Sequence, residues 1–262
     1  MTVPFENDTG NIVRKLARKS LKSEKRRNLM VVIAVALASC LICFSIVMAL
    51  STRQIEKNHV EDTYEAVYTK ITEEDVSSLK GLDDFSRVGE YYMLAVEPAE
   101  QGYNASYIYC DEETMYIARD QMKLLEGRLP QKEDEVVVSR YFLSNYAADA
   151  GIGEKVMLSS ESFHGEYTVT GIMEGYKEKE VNGSSILLSK EALKGWSGYD
   201  PADYRAYVHF KNEQQMDETE LTARSREIAK EYQLEMPIMN LSYMKFYKQP
   251  VNVSMLALVA GI

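Results

Sequence analysis

Residues 29–50, LMVVIAVALASCLICFSIVMAL, form an uncharged run with neither Pro nor Gly. A hydrocarbon core about 30 Å thick needs roughly 20 apolar residues at 1.5 Å of helical rise each, so this run is long enough to cross. It is too long for a typical signal-peptide core, and no small-x-small cleavage pattern follows it. A transmembrane helix is therefore expected, in preference to an uncleaved signal-like segment.

Charge is sharply sorted around that run. Of the 30 Lys and Arg, eight lie in residues 1–28 (Arg14, Lys15, Arg18, Lys19, Lys22, Lys25, Arg26, Arg27) against three of the 40 Asp and Glu. The head is thus +5 and the remainder −15, out of an overall −10. Basic flanks stay on the cytoplasmic side, which puts the N-terminus inside and residues 51–250 outside. An acidic remainder also argues against nucleic acid as a partner, since phosphate needs clustered Lys and Arg. Within the head, residues 12–21 (IVRKLARKSL) place Ile12, Val13, Leu16, Ala17 and Leu21 near one helical face and cations on the other. That pattern fits a helix lying in the inner-leaflet interface; a plain topology-setting flank is the simpler alternative.

Residues 251–262, VNVSMLALVAGI, are apolar again. Twelve residues reach only about 18 Å as a helix, so the expectation is the start of a second span, with a buried core element as the alternative. On this expectation the chain is the N-terminal part of a larger polytopic protein. The resulting division is a basic cytoplasmic segment over 1–28, a first span over 29–50, an outer domain over 51–250 and an incomplete second span over 251–262.

The outer region is patterned as mixed α+β. Alternating β-branched and aromatic residues predict strands over 64–71, 86–96, 105–110, 135–139, 154–159, 166–173, 184–188 and 204–210. Thr72 with Asp75 and Asp217 with Glu220 have capping-box spacing, which starts helices at 73 and 218. Ser139 caps a helix carrying Phe142, Leu143, Tyr146 and Ala147, and a short helix spans 189–195. Ser51 to about Thr63 continues the membrane helix outward as a stalk. Glu220 and Arg224 are spaced for a helical ion pair. One domain is expected, in one lobe or two. All 18 Tyr lie between Tyr64 and Tyr247, more in keeping with half-buried strands than with a peptide- or glycan-binding surface.

The search for chemistry finds little. His59, His164 and His209 have no partners at metal-ligand spacing, and His209 alternates in a strand as a structural residue would. Gly195-Trp196-Ser197-Gly198 falls one residue short of a nucleophile elbow. No P-loop or dinucleotide fingerprint occurs, so no cofactor is expected in this chain. The acidic runs 73–75, 111–113 and 133–135 lack the ligand order of a calcium loop and read as solvated. Cys40 and Cys43 sit inside the apolar run and Cys110 stands alone outside, so no disulfide is expected in the domain.

Three stretches, in order, resemble the MacB/FtsX-like permease family of ABC transporters. The first is the basic head running into the span. The second is LLEGRLPQKEDEVVVSRYFL at 124–143, similar to the family's "eGR-P … E-v-ls" stretch through Glu126, Gly127, Arg128, Leu129, Pro130, Glu135 and residues 136–139. The third is GIGEKVMLSSESFHGEYTVTGIM at 151–173, similar to the "G-d-x-v-x-l … y-x-V-x-G-i" pair of strands through Gly153, Glu154, Val156, Leu158, Tyr167, Val169, Gly171 and Ile172, with Glu154 where Asp is usual. Gly127, Arg128, Leu129, Pro130, Gly151, Gly153, Val169 and Gly171 are the positions marked as specifying the fold through turns and close approaches, not as catalytic.

The resemblance implies a MacB-like extracytoplasmic domain between the first and second spans. It also implies a bacterial plasma-membrane location and a separate cytoplasmic ATPase partner that binds the ATP. A second permease copy and an extracellular peptide, lipid or protein are the further partners it raises. It implies that ATP-driven motion reaches the outer domain, in export, lipoprotein or peptide handling, or antimicrobial-peptide resistance. A single-pass extracellular sensor or ligand-binding module is the competing class, and an extracellular enzyme lacks the side chains it would need.

Overall fold

The computed structural model describes residues 9–23, 25–175 and 178–248. They fall into an N-terminal unit that ends at Ile55 and a compact unit, Glu56–Pro250. Residues 251–262, the expected second span, lie outside the described residues.

In the N-terminal unit, helix α1 (Thr9–Ser23) leaves Ile12, Val13 and Leu16 exposed, as an apolar face without a protein partner does. Helix α2 (Lys25–Val60) holds the apolar run and continues past it without a break, so the stalk is helical. Its lipophilic side chains are exposed all round, from Leu29 and Val32 to Leu41 and Phe44. Among the described residues α2 is the one helix long and apolar enough to cross a membrane.

The compact unit is built on ten strands: β1 (Ala66–Ile71), β2 (Phe85–Pro98), β3 (Asn104–Cys110), β4 (Met122–Gly127), β5 (Glu135–Ser139), β6 (Lys155–Ser159), β7 (His164–Gly175), β8 (Gly183–Leu188), β9 (Tyr204–Phe210) and β10 (Ile238–Met239). They form a single sheet in the order β10-β1-β9-β2-β3-β8-β5-β7-β4, with β6 also paired to β7. One sheet runs through the whole unit, so no second lobe is split off. Most pairings are antiparallel; β3 with β8 and β5 with β7 are parallel. Because β5 holds one edge of β7, both β6 and β4 lie along the other, β6 on residues 164–168 and β4 on 171–175.

Alternation along the strands sends side chains to two unequal cores. Ala66, Tyr68, Val136, Val138, Ile186 and Leu188 face the larger one, which α3 (Glu73–Lys80), α5 (Arg140–Tyr146), α7 (Lys190–Gly195) and α8 (Glu218–Glu231) cover. Val67, Val137 and Leu187 face the smaller one, covered by α4 (Glu112–Ile117) through Met115 and Ile117. Most tyrosines pack in the larger core: Tyr68, Tyr92, Tyr103, Tyr107, Tyr204 and Tyr243 are fully buried.

Local signals set the helix starts as expected. Thr72 Oγ1 accepts from the Asp75 N–H at 3.1 Å, and the Asp75 carboxylate accepts from the Thr72 N–H at 2.8 Å. Asp217 and Glu220 exchange the same pair of bonds at 2.8 and 3.0 Å. That role occupies Glu220, and Arg224 instead grips Asp84 through two bonds of 2.7 and 2.9 Å and reaches Glu227 at 3.2 Å. The expected Glu220–Arg224 pair gives way because a guanidinium satisfied in a bidentate ion pair outcompetes a solvent-exposed helical one.

The sequence pattern does not show β4, β10, helix α4 or the short helical pieces at Glu178–Val181 and Leu241–Tyr243. β10 has two residues, too few for periodicity. β4 runs into the stretch that the sequence marks as a turn. Helix α4 starts in the acidic run 111–113, whose composition suggests a solvated face, yet Asp111 caps it by accepting from the Thr114 N–H at 2.9 Å, and Glu112 and Glu113 occupy its first turn, where negative charge is favoured. The other acidic runs are likewise engaged. Glu73 meets Lys190 at 2.7 Å and Lys194 at 3.0 Å, which holds its carboxyl below the usual range.

Candidate functional site

Two places on the compact unit combine defined geometry with position. The first is the turn after β4. Gly127 has φ +81, a region only glycine occupies freely, and a Cβ there would lie 2.2 Å from the Thr170 carbonyl oxygen. Its register partner is Gly171, where a Cβ would lie 2.8 Å from the Arg128 carbonyl oxygen. The two backbones therefore approach as only a Gly–Gly pair allows. The Arg128 N–H donates to the Thr170 carbonyl at 3.0 Å, which closes the turn onto β7.

The Arg128 guanidinium then spans the loop to Glu135 with two bonds, 2.7 Å and 2.8 Å. The Gln131 N–H adds a third bond to the same carboxylate at 2.8 Å. Arg128 and then these N–H groups hold the carboxyl of Glu135 at about 2, far below the usual range. Gly153 and Val169 sit alongside: the Gly153 N–H donates to the Val169 carbonyl at 2.8 Å, and the Gly151 N–H to the Glu154 carboxylate at 2.7 Å. Gly127, Arg128, Leu129, Gly151, Gly153, Val169 and Gly171 thus gather at one edge of the sheet. Pro130 lines a recess on the side of the turn that faces Lys190.

The second place is where the chain enters and leaves the domain. The entering chain runs from Lys57 through Val60, the end of α2, to Glu65. The leaving chain is Asn240, a helical turn at Leu241–Tyr243 and a π-helical turn at Met244–Lys248. Asn240 joins them. Its N–H donates to the Glu65 carbonyl at 2.8 Å, its side-chain amide to the Tyr64 carbonyl at 3.0 Å, and its side-chain oxygen accepts from the Tyr243 N–H at 3.1 Å. Lys57 lies 5.0 Å from the centre of the Tyr247 ring.

Beneath this joint lies a buried charged network. Glu213 is fixed by the Tyr243 hydroxyl at 2.5 Å and by the Lys248 ammonium at 3.0 Å, with both charged side chains under 8% exposed. Glu65, fully buried, accepts from the Phe210 N–H at 2.8 Å and pairs with His209 Nδ1 at 2.7 Å. Burial pushes the Glu65 carboxyl up, against the pull of His209 and the Phe210 N–H. Burial alone would depress the His209 imidazolium, but Glu65 outweighs it and the net shift is upward.

His209 is therefore a packed, charge-paired residue. Of this network the sequence singles out His209 as a structural residue, and nothing in it ties Glu65, Glu213, Tyr243 or Lys248 to that position. The one local signal was the spacing of Asn240 and Tyr243, which suits an N-cap. Among the described residues no group of three or more His, Cys, Asp or Glu is placed to hold a metal ion.

The sequence matches the MacB-like periplasmic core domain family over residues 29–226, most of its length. The chain belongs to that family, and through it to the MacB/FtsX-like permease components of ABC-type transporters. No curated protein matches the sequence. Among solved structures, the extracellular domain of the noncanonic ABC-type transporter YknZ from Gram-positive bacteria is 15% identical, with a TM-score of 0.48 over 68% of this chain and 100% of that one. The periplasmic region of MacB from Actinobacillus actinomycetemcomitans is 11% identical, with a TM-score of 0.48 over 71% and 91% of the two chains. A domain of a putative permease from Porphyromonas gingivalis is 14% identical, with a TM-score of 0.47 over 74% and 96%.

Proposed function

We propose that this chain belongs to the membrane subunit of a bacterial ABC transporter in which a separate cytoplasmic ATPase drives movement of the extracytoplasmic domain. The observation that carries the proposal is the joint between the entering and leaving chain, bonded at Asn240 and underlain by Glu213, Tyr243 and Lys248. A domain tethered by two segments that meet at one stiff, buried joint moves as a unit when one tether shifts against the other. The basic head favours a cytoplasmic N-terminus and so an outward-facing domain. The exposed apolar face of α1 suits the inner-leaflet surface. A second permease copy completes the usual pairing of such subunits, and the work done outside falls within export, lipoprotein or peptide handling, or resistance to antimicrobial peptides.

The test replaces Lys57 and Tyr247 with cysteine in the full-length protein lacking Cys40, Cys43 and Cys110, then bridges the pair with a short bismaleimide. Bridging is expected to leave transporter-dependent ATP turnover or resistance intact, because the joint already holds the two segments together, while Asn240→Ala, which unties them, is expected to abolish it. Full activity in Asn240→Ala, or loss of activity in the bridged protein, overturns the coupling mechanism. Protease added to intact cells checks the orientation: the compact unit must be cut.

A further inference from the structure

The entering chain is held at a second place besides the Asn240 joint, by the loop between α4 and β4, residues 118–121. Helix α2 ends at Val60, and Asp62 leaves it with φ +53, the left-handed turn that glycine makes freely and aspartate at a cost. Contacts from residues 117–121 then tie this end down. The Arg119 guanidinium donates to the Glu61 carbonyl and stands 3.7 Å from the Asp62 carboxylate. His59 Nε2 donates to the Asp120 carbonyl at 3.3 Å. The Gln121 amide donates to the Tyr64 hydroxyl, and the Tyr64 N–H to the Ile117 carbonyl at 3.0 Å. A cation at a helix C-terminus satisfies the last carbonyls and suits the negative end of the dipole. Arg119 does this for α2 from 58 positions further along the chain.

The same loop holds a group that opposes the contact. One oxygen of the Asp120 carboxylate, Oδ1, is enclosed and meets no donor among the described residues. Burial pushes the Asp120 carboxyl up; its own N–H, His59, the Gln121 N–H and Arg119 pull the other way and do not make up for it. Buried polar groups are paired as a rule, so an enclosed orphan marks a place that other contacts hold shut. The left-handed Asp62 adds to the same side of the balance. Closing forms the Arg119 and Tyr64 bonds; opening returns the Asp120 carboxylate to water and lets Asp62 relax.

We propose that residues 118–121 form a releasable latch on the end of α2. Arg119 holds it shut against the enclosed Asp120 carboxylate and the left-handed Asp62, and its release frees residues 57–64 from α4 while the Asn240 joint stays tied. Shut, the latch carries a movement of residues 57–64 into α4, and through Met115 and Ile117 into the smaller core. Open, it passes none. The use of such a latch rests on the reading that the domain is driven through its tethers, whereas its opening is measured with no ATPase present.

The test is hydrogen–deuterium exchange at neutral pH on the full chain in lipid nanodiscs, read by mass spectrometry in peptides covering residues 57–65. Arg119→Ala is expected to speed their exchange about tenfold. Asp120→Asn keeps the shape and removes the enclosed charge, and is expected to slow it about threefold. Neighbouring residues of one loop thus act in opposite directions. Arg119→Lys, with one ammonium for two acceptors, is expected to fall between the wild type and Arg119→Ala. Peptides covering β5 report the fold and are expected to exchange alike in every variant. Unchanged exchange of residues 57–65 in Arg119→Ala, or exchange in Asp120→Asn as fast as in the wild type or faster, overturns the latch. An equal speeding of β5 in Arg119→Ala overturns it too, since Arg119 would then serve the whole fold. The expected exchange pattern beside full activity in Asn240→Ala overturns the tether reading and leaves the latch standing.

Discussion

The turn after β4 and the joint at the chain's entrance both rest on a carboxylate, and they use it in opposite ways. Glu135 begins β5 beneath the loop, and Arg128 together with two loop N–H groups stabilises its charge. Glu65 lies fully enclosed, and burial works against its charge while His209 and the Phe210 N–H support it. The Arg128–Glu135 clasp joins residues seven positions apart; the joint draws on residues 57–65, 209–213 and 240–248. The clasp thus fastens a local piece of chain, whereas the joint ties three distant pieces together. Removing Arg128 still leaves Glu135 two N–H donors, whereas removing Glu65 leaves a buried imidazole and a buried N–H without an acceptor, so the larger cost is expected at the joint.

The sharpest way to break this contrast is Glu65→Ala. It leaves the His209 imidazole and the Phe210 N–H without their acceptor, and a loss of about 3 kcal/mol in urea unfolding of the compact unit is expected. A loss below about 1 kcal/mol would show that the joint relaxes freely, and it would remove the reason to regard it as stiff.

A smaller effect separates two glycines that the sequence marks alike. Gly127→Ala must place a Cβ in a left-handed conformation and against the Thr170 carbonyl, so a loss of about 2–3 kcal/mol is expected. Gly153→Ala shares the conformational penalty, with φ +89, but meets nothing within 4 Å, so about 1 kcal/mol is expected. Equal losses would mean that the close approach of β4 and β7 adds nothing to the turn.

What the sequence disclosed divides along the same line. The span, the capping boxes at Thr72 and Asp217, the Ser139 cap and the turn glycines are short-range signals, legible because the partner residues are near neighbours. The joint is invisible for the converse reason: nothing near Glu65 announces His209, and nothing near Glu213 announces Tyr243 or Lys248. Helix α4 shows a third case. Asp111, Glu112 and Glu113 had the composition of a solvated patch and also that of a capped first turn, and only the packing of Met115 and Ile117 decides between them.

The smallest predicted effect is a dependence on pH. The folded-state pKa of Glu135 is about 2, below the 4.5 of an unperturbed Glu. A depressed carboxyl binds its proton more weakly in the folded than in the unfolded state, so its contribution is full above about pH 4.5 and fades as pH falls towards 2. In Arg128→Ala the main source of that depression is gone. The wild-type domain should therefore melt a few degrees above the variant at neutral pH, with the gap closing between pH 4.5 and 2. His209 provides the internal control. Its upward shift places its contribution below pH 6.5 and removes it as pH rises through the folded value, so Arg128→Ala should lower the alkaline limb of the melting curve by the same few degrees without moving the pH at which it falls. A gap that stayed constant down to pH 2 would mean that Arg128 acts by packing its stem across the loop, not by holding Glu135 ionised.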